Sequence, residues 1–113
     1  MKTIAILASV SVLLFFGGCS DDPPSIRVKN ERQNKANVQI KQSNGNTINH
    51  NDVQPGAYSS YQNIIAGVVT VKAEMQNEPD LAEKSFVATD NHNYTIVILA
   101  GLTPSIRIDE QSK

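Results

Sequence analysis

The chain has 113 residues, 40% of them hydrophobic, with ten Lys and Arg against eleven Asp and Glu. That length supports one small domain. The near-neutral charge excludes the basic excess that drives binding to nucleic acid or to an anionic membrane surface. With one cysteine, Cys19, no internal disulfide can form, so the domain must be held by its core.

The first element is not part of a fold. Lys2 is followed by 14 uncharged, mostly apolar residues, Thr3 to Phe16, and then by Gly17-Gly18-Cys19-Ser20. The apolar run has the length of a signal-peptide core and is short of the roughly 20 residues that cross a bilayer as a helix. Asp21, Asp22, Pro23 and Pro24 follow at once and stop any extension. This arrangement resembles a bacterial lipoprotein signal peptide ending in a lipobox. The resemblance implies cleavage before Cys19, removal of residues 1–18, and fatty-acyl chains such as palmitate on Cys19. Several chains give durable anchoring where one gives only marginal binding. Ser20, Asp21 and Asp22 resemble the signal that sends some Gram-negative lipoproteins to the outer face of the outer membrane. They serve equally well as polar residues of a tether over 19–24, with Pro23-Pro24 an extended spacer.

From Ser25 onward the pattern has period two, in short blocks separated by turn residues. Ile26 to Lys29, Val38 to Lys41 and Ile106 to Asp109 alternate. In Val69 to Met75, Val69, Val71, Ala73 and Met75 share one face. Tyr94 to Ala100 is apolar on both faces and reads as a central strand covered on both sides. Asn44-Gly45 predicts a type I′ hairpin turn, and Pro55-Gly56 a type II turn. Asn77 to Asp80 and Asp90 to Asn93 are further turns. These blocks predict an all-β, antiparallel sandwich of about seven strands over 25–113. Its expected core is Ile26, Val28, Val38, Ile40, Val69, Val71, Ala73, Phe86, Ile96, Ile98, Ile106 and Ile108.

In order and spacing, five segments resemble the bacterial domain of unknown function 4397, an immunoglobulin- or transthyretin-like sandwich. They are Ile26 to Val28, Asn37 to Ile40 with the Asn44-Gly45 hairpin, Gly56 to Tyr61, Ala66 to Val71, and Tyr94 to Gly101. The resemblance implies the sandwich and carries no catalytic residues.

The residues offer no catalytic constellation and no metal set, and no cofactor is expected. His50 and His92 sit among turn formers and read as solvent-exposed. Glu74, Glu78, Asp80, Glu83 and Asp90 gather near one hairpin, but no calcium-loop spacing links them. Ser59, Ser60 and Ser85 lack a nucleophile motif. Tyr58 and Tyr61, three apart in a strand-like segment, are expected on opposite faces; one is then exposed as a candidate ligand contact, or bonds the backbone at a sandwich corner. Asn93-Tyr94-Thr95 matches a glycosylation sequon around a tyrosine expected to be buried. Eleven Asn and seven Gln provide neutral hydrogen-bonding groups suited to a glycan or a peptide edge. The expectation is a non-catalytic, lipid-anchored protein of the outer membrane, exposed at the surface if the export signal acts. It binds or scaffolds a protein or glycan, or serves as a periplasm-facing subunit of an envelope complex. A hydrolase built on the histidines and loop carboxylates is the remaining alternative.

Overall fold

The computed structural model describes residues 21–113. The signal segment, Cys19 and Ser20 lie outside the described residues. Eight strands follow in order: β1 (Ser25–Asn30), β2 (Ala36–Lys41), β3 (Thr47–Val53), β4 (Gln62–Asn63), β5 (Gly67–Met75), β6 (Leu81–Ala88), β7 (His92–Leu99) and β8 (Ser105–Ser112). They form two four-stranded sheets, one in the order β8-β7-β1-β4 and the other in the order β3-β2-β5-β6. The all-β sandwich expected from the alternating blocks is the fold observed.

Alternation sets the register. In β2 the buried residues are Ala36, Val38 and Ile40, and in β5 Val69, Val71, Ala73 and Met75. β2 and β5 pair antiparallel with Val38 opposite Ala73 and Ile40 opposite Val71, so both strands turn their apolar sets to one side. The facing sheet supplies Ile26, Val28, Tyr94, Ile96 and Ile98, all essentially fully buried. Each such side chain contributes about 1.5–3 kcal/mol of burial. Phe86 and Ile108, expected in the core, are half-buried and packed against it. Ala36, Val53, Ile64, Met75, Ala82, Ala88 and Tyr94 join it.

One pairing departs from the antiparallel expectation. β1 lies parallel to β7, with Ile26 beside Tyr94 and Val28 beside Ile96. Parallel neighbours need a long crossover; here the chain leaves β1, builds the whole second sheet and the short β4, and returns. β7 is thereby central, between β8 and β1. Its outward Val97 is only 2% exposed, as expected for a strand apolar on both faces.

The turns sharpen two expectations. In the Gln42 to Asn46 loop only Gly45 has positive φ, at 90°. The Gly45 N–H donates to the Gln42 carbonyl and the Gln42 N–H to the Asn46 carbonyl. This is a three-residue loop with glycine at the left-handed site, not the expected type I′ turn. At Pro55-Gly56 the expected turn forms, with Gly56 at φ 76° and the Ala57 N–H donating to the Gln54 carbonyl.

The tether is shorter than expected. Pro24 is buried, and its carbonyl accepts the Ile64 N–H at 2.9 Å. The Asp22 carbonyl accepts the Asn91 N–H, and the Asp22 N–H donates to Asn91 Oδ1, both at 2.9 Å. Lys113 Nζ donates to the Pro23 carbonyl at 2.7 Å. Two prolines leave extended backbone with free carbonyls, and the fold supplies donors for them. Contacts with the sandwich therefore begin at Asp21, where Asn91 Nδ2 donates to Oδ1 at 3.3 Å, ahead of Ser25.

Candidate functional site

The outer face of the β8-β7-β1-β4 sheet is built from residues that alternate with the core. In β1 the outward residues are Arg27 and Lys29. Arg27 lies beside Thr95 of β7, which lies beside Asp109 of β8. Lys29 lies beside Val97, which lies beside Arg107. Two cross-strand rows, Arg27-Thr95-Asp109 and Lys29-Val97-Arg107, thus run over the face. The long side chains cover Val97, which accounts for its burial.

Tyr58 and Tyr61 close the β1 side. They stand on the same face, and both are exposed, at 54% and 42%. The expected opposition fails because the segment between them is not a regular strand. Tyr58 forms a single bridge to Lys29. The Ser59 N–H donates to the Val28 carbonyl, while the Val28 N–H is taken by Ser59 Oγ at 2.8 Å instead of a main-chain oxygen. A side chain in the ladder breaks the two-residue period. The Arg27 guanidinium carbon lies 4.1 Å from the Tyr58 ring centre and 4.6 Å from that of Tyr61. Lys29 Nζ is 4.5 Å from the Tyr58 ring. Arg27 Nε donates to Thr95 Oγ1 at 3.1 Å. Among the described residues neither Arg27 nor Lys29 has an ion-pair partner.

The β8 side differs. Arg107 Nε donates to Asp109 Oδ1 at 2.8 Å and Nη2 to Oδ2 at 3.1 Å. This hydrogen-bonded pair holds the Asp109 carboxyl below its usual range and raises Arg107. Glu31 adds a further attraction on Arg107. Between the two sides lies an open groove of about 280 Å³ whose lining includes Arg27, Lys29, Tyr58, Glu31, Arg107 and Asp109.

The other polar residues serve the fold. Arg32, 9% exposed, lies in the loop after β1. Its Nε and Nη2 hold Glu78, with Nη2 to Oε1 at 2.6 Å, and Nη1 and Nη2 also donate to the Leu99 and Gly101 carbonyls. That guanidinium keeps the Glu78 carboxyl below the usual range. Of the loop carboxylates, Glu78 is therefore committed to Arg32; among the described residues no three Asp, Glu, His or Cys side chains converge as metal ligands. Buried Asn30 donates through Nδ2 to the Asn34 and Val53 carbonyls, and its Oδ1 accepts the Arg32 N–H.

The histidines are half-buried, not exposed. Asn49 to Asp52 reads as a turn but belongs to β3, where Ile48 and His50 take the inward positions. Burial lowers the His50 pKa, and its Nε2 has no hydrogen-bond partner among the described residues. His92 opens β7, with Nε2 3.4 Å from Glu110 Oε2. The two histidines belong to different sheets. Tyr94, not Tyr58 or Tyr61, makes the corner bond: its hydroxyl accepts the Thr89 N–H at 2.8 Å.

The sheet edges are poor templates for an added strand. β4 has two residues. β3 carries a bulge, with Asp52 at positive φ and its N–H taken by Asn37 Oδ1. Edge strands β6 and β8 hold Lys84 and Glu110 at core-facing register positions, between or beyond buried neighbours. Recognition through a face is left as the better-supported mode.

No family model matches this chain, and no curated protein matches it. Among solved structures, the NMR structure of a protein from Eubacterium rectale is similar with a TM-score of 0.58. The match covers 82% of this chain and 94% of that one at 11% sequence identity, so it shows the fold alone.

Proposed function

We propose that this is a lipid-anchored, non-catalytic β-sandwich of the bacterial cell envelope that binds a partner through the outer face of the β8-β7-β1-β4 sheet. The observation that carries the binding role is Arg27 held between two exposed tyrosines, beside Lys29, which also has no ion-pair partner among the described residues. Tyrosine offers apolar area with a polar tip, and a stacked guanidinium is already ordered for recognition. A surface maintained only for solubility has no need of this arrangement.

The anchor rests on Lys2, the apolar run and Gly17-Gly18-Cys19, with a family resemblance to domain 4397 beside it. The docked Asp22 gives the anchor a geometric consequence. Asp22 is three positions from Cys19, and three extended steps reach at most about 11 Å. A lipid on Cys19 would hold the Asp22–Asn91 end close to the bilayer and direct the Arg32–Glu78 end away from it. A site on the sheet face stays open in that pose. A periplasm-facing structural role remains the second reading, favoured if Ser20, Asp21 and Asp22 are only tether.

Two measurements on the full chain in cells test this. Mass spectrometry of the N-terminal peptide is expected to find an acylated Cys19 and loss of residues 1–18; an unmodified Cys19 refutes the anchor. A photo-crosslinking residue at position 61 is expected to capture an envelope component that position 72, on the opposite face, does not. Equal capture from both positions refutes the face as the site. Protease treatment of intact cells, with Ser20, Asp21 and Asp22 replaced by Ala in a parallel strain, assigns the side of the membrane. Asp22 contacts Asn91 only through its own main chain, so the variant loses one exposed bond, from Asn91 Nδ2 to Asp21 Oδ1 at 3.3 Å, and is expected to retain its fold.

A further inference from the structure

We propose that the groove between Tyr58 and Asp109 is a site for an acidic carbohydrate, a glycan carrying a hexuronate-type sugar. This rests on the face being the recognition surface and adds the class of ligand.

The charge pattern carries the inference. On the β1 side Arg27 uses only Nε, on Thr95 Oγ1. Among the described residues its two Nη groups have no protein acceptor, and Lys29 has no ion-pair partner. Stacking on Tyr58 and Tyr61 fixes the guanidinium, so little order is lost when it meets a planar carboxylate. On the β8 side the groove presents acceptors. Asp109 is occupied by Arg107, but an ionised carboxyl offers about four lone-pair directions; Glu31, which follows β1 and attracts Arg107, adds another carboxylate to the groove. One half therefore binds an anion, and the other accepts from hydroxyl groups.

Few ligand classes satisfy both halves. A polyacidic peptide, a nucleic acid or a heavily sulfated chain would set negative charge against Glu31 and Asp109, which is repulsive. A neutral sugar would leave Arg27 and Lys29 desolvated without an anion. A uronic acid has one carboxylate on a ring of neutral hydroxyls. Its apolar ring face can pack on an exposed tyrosine while the carboxylate meets Arg27. The volume of about 280 Å³ is at the low end for ligand sites and suits a sugar or two of a chain lying across the face.

The test uses the full chain in detergent, isotope-labelled for NMR. The probes are tri-galacturonate, a glucuronate-containing hyaluronan tetrasaccharide, a neutral galactose trisaccharide and a hexa-aspartate peptide. At least one uronate is expected to shift the signals of Arg27, Thr95, Tyr58 and Tyr61. Binding should weaken about tenfold with the neutral trisaccharide and in Arg27→Gln, and should persist in Lys72→Gln on the opposite face. An unchanged dispersion of signals in Arg27→Gln shows that its fold is intact. Binding of neither uronate overturns the proposal, as does equal binding of the neutral sugar or of the peptide. If the sugars fail while position 61 still crosslinks a protein, the ligand class falls and the recognition face stands. If both fail, both fall.

Discussion

Arg32 and Arg27 lie five residues apart on the same stretch of chain, at opposite ends of what an arginine can do. Arg32 is buried at the loop end, with every guanidinium nitrogen bonded to Glu78, Leu99 or Gly101. Arg27 stands on the sheet face, bonded once to protein and flanked by two tyrosines. The first joins segments separated by 46 and 67 residues and commits four of its five N–H donors to them. The second keeps donors in reserve. Full satisfaction thus marks a residue of the fold, and ordered but incomplete satisfaction marks a candidate for recognition.

Removing either arginine tests the contrast. Arg32→Ala removes the guanidinium from Glu78 and two carbonyls, leaving Glu78 only its bond from Asn34 Nδ2, and is expected to cost about 3 kcal/mol in urea unfolding. Tyr94→Phe is expected to cost about 1–2 kcal/mol, because the Thr89 N–H loses its acceptor while the ring keeps its 5.0 Å contact with Phe86. Arg27→Gln should cost less than about 1 kcal/mol, the scale of an exposed cation–aromatic contact, yet remove capture of the partner. A loss as large as that of Arg32→Ala would make Arg27 structural.

Acid sharpens the same comparison. The folded Glu78 carboxyl titrates below its ordinary 4.5, chiefly through its hydrogen bonds with Arg32. Its contribution is full above that value and is lost as pH falls through the lowered folded value. His50 titrates below its ordinary 6.5 because burial disfavours the charged ring. The sign is the same: neutral His50 costs nothing above 6.5, and stability falls as pH drops below it. Stability measured against pH should therefore decline in two stages. His50→Leu should flatten the stage just below pH 6.5, and Arg32→Ala the lower one. On the Arg27 face only the exposed Asp109 carboxyl, also lowered by its hydrogen bond with Arg107, adds to the lower stage.

Period two located β1, β2, β5 and β8 because each has one wet face, and a continuous apolar run located β7 because it has none. β3 was not legible: Thr-Ile-Asn-His-Asn-Asp-Val has few β-formers, and only Ile48 and His50 mark its inward face. Its strand state follows from the Gly45 loop, which returns the chain alongside β2. Asn30 was missed because buried asparagine has no pattern; its partners are carbonyls at 34 and 53. Half of the candidate site was legible. Alternation in β1 puts Arg27 and Lys29 outward, and Tyr58 and Tyr61 stood out as aromatics. Their meeting was not, since Ser59 breaks the period between the tyrosines.

By itself the sequence determined what depends on neighbours along the chain: the sandwich class, most of the core, the Pro55-Gly56 turn, and the signal-like segment before Cys19. Those follow from alternation, turn chemistry and hydropathy, which act over a few residues. Tertiary structure alone decided the parallel β1–β7 pair, the Arg32–Glu78 bond, the docking of Asp22 to Pro24, and the Arg27–Tyr58–Tyr61 cluster. Each joins groups about 30 to 90 residues apart, and contacts at that separation depend on which strands become neighbours. No local preference encodes that choice; the burial of both sheets together does.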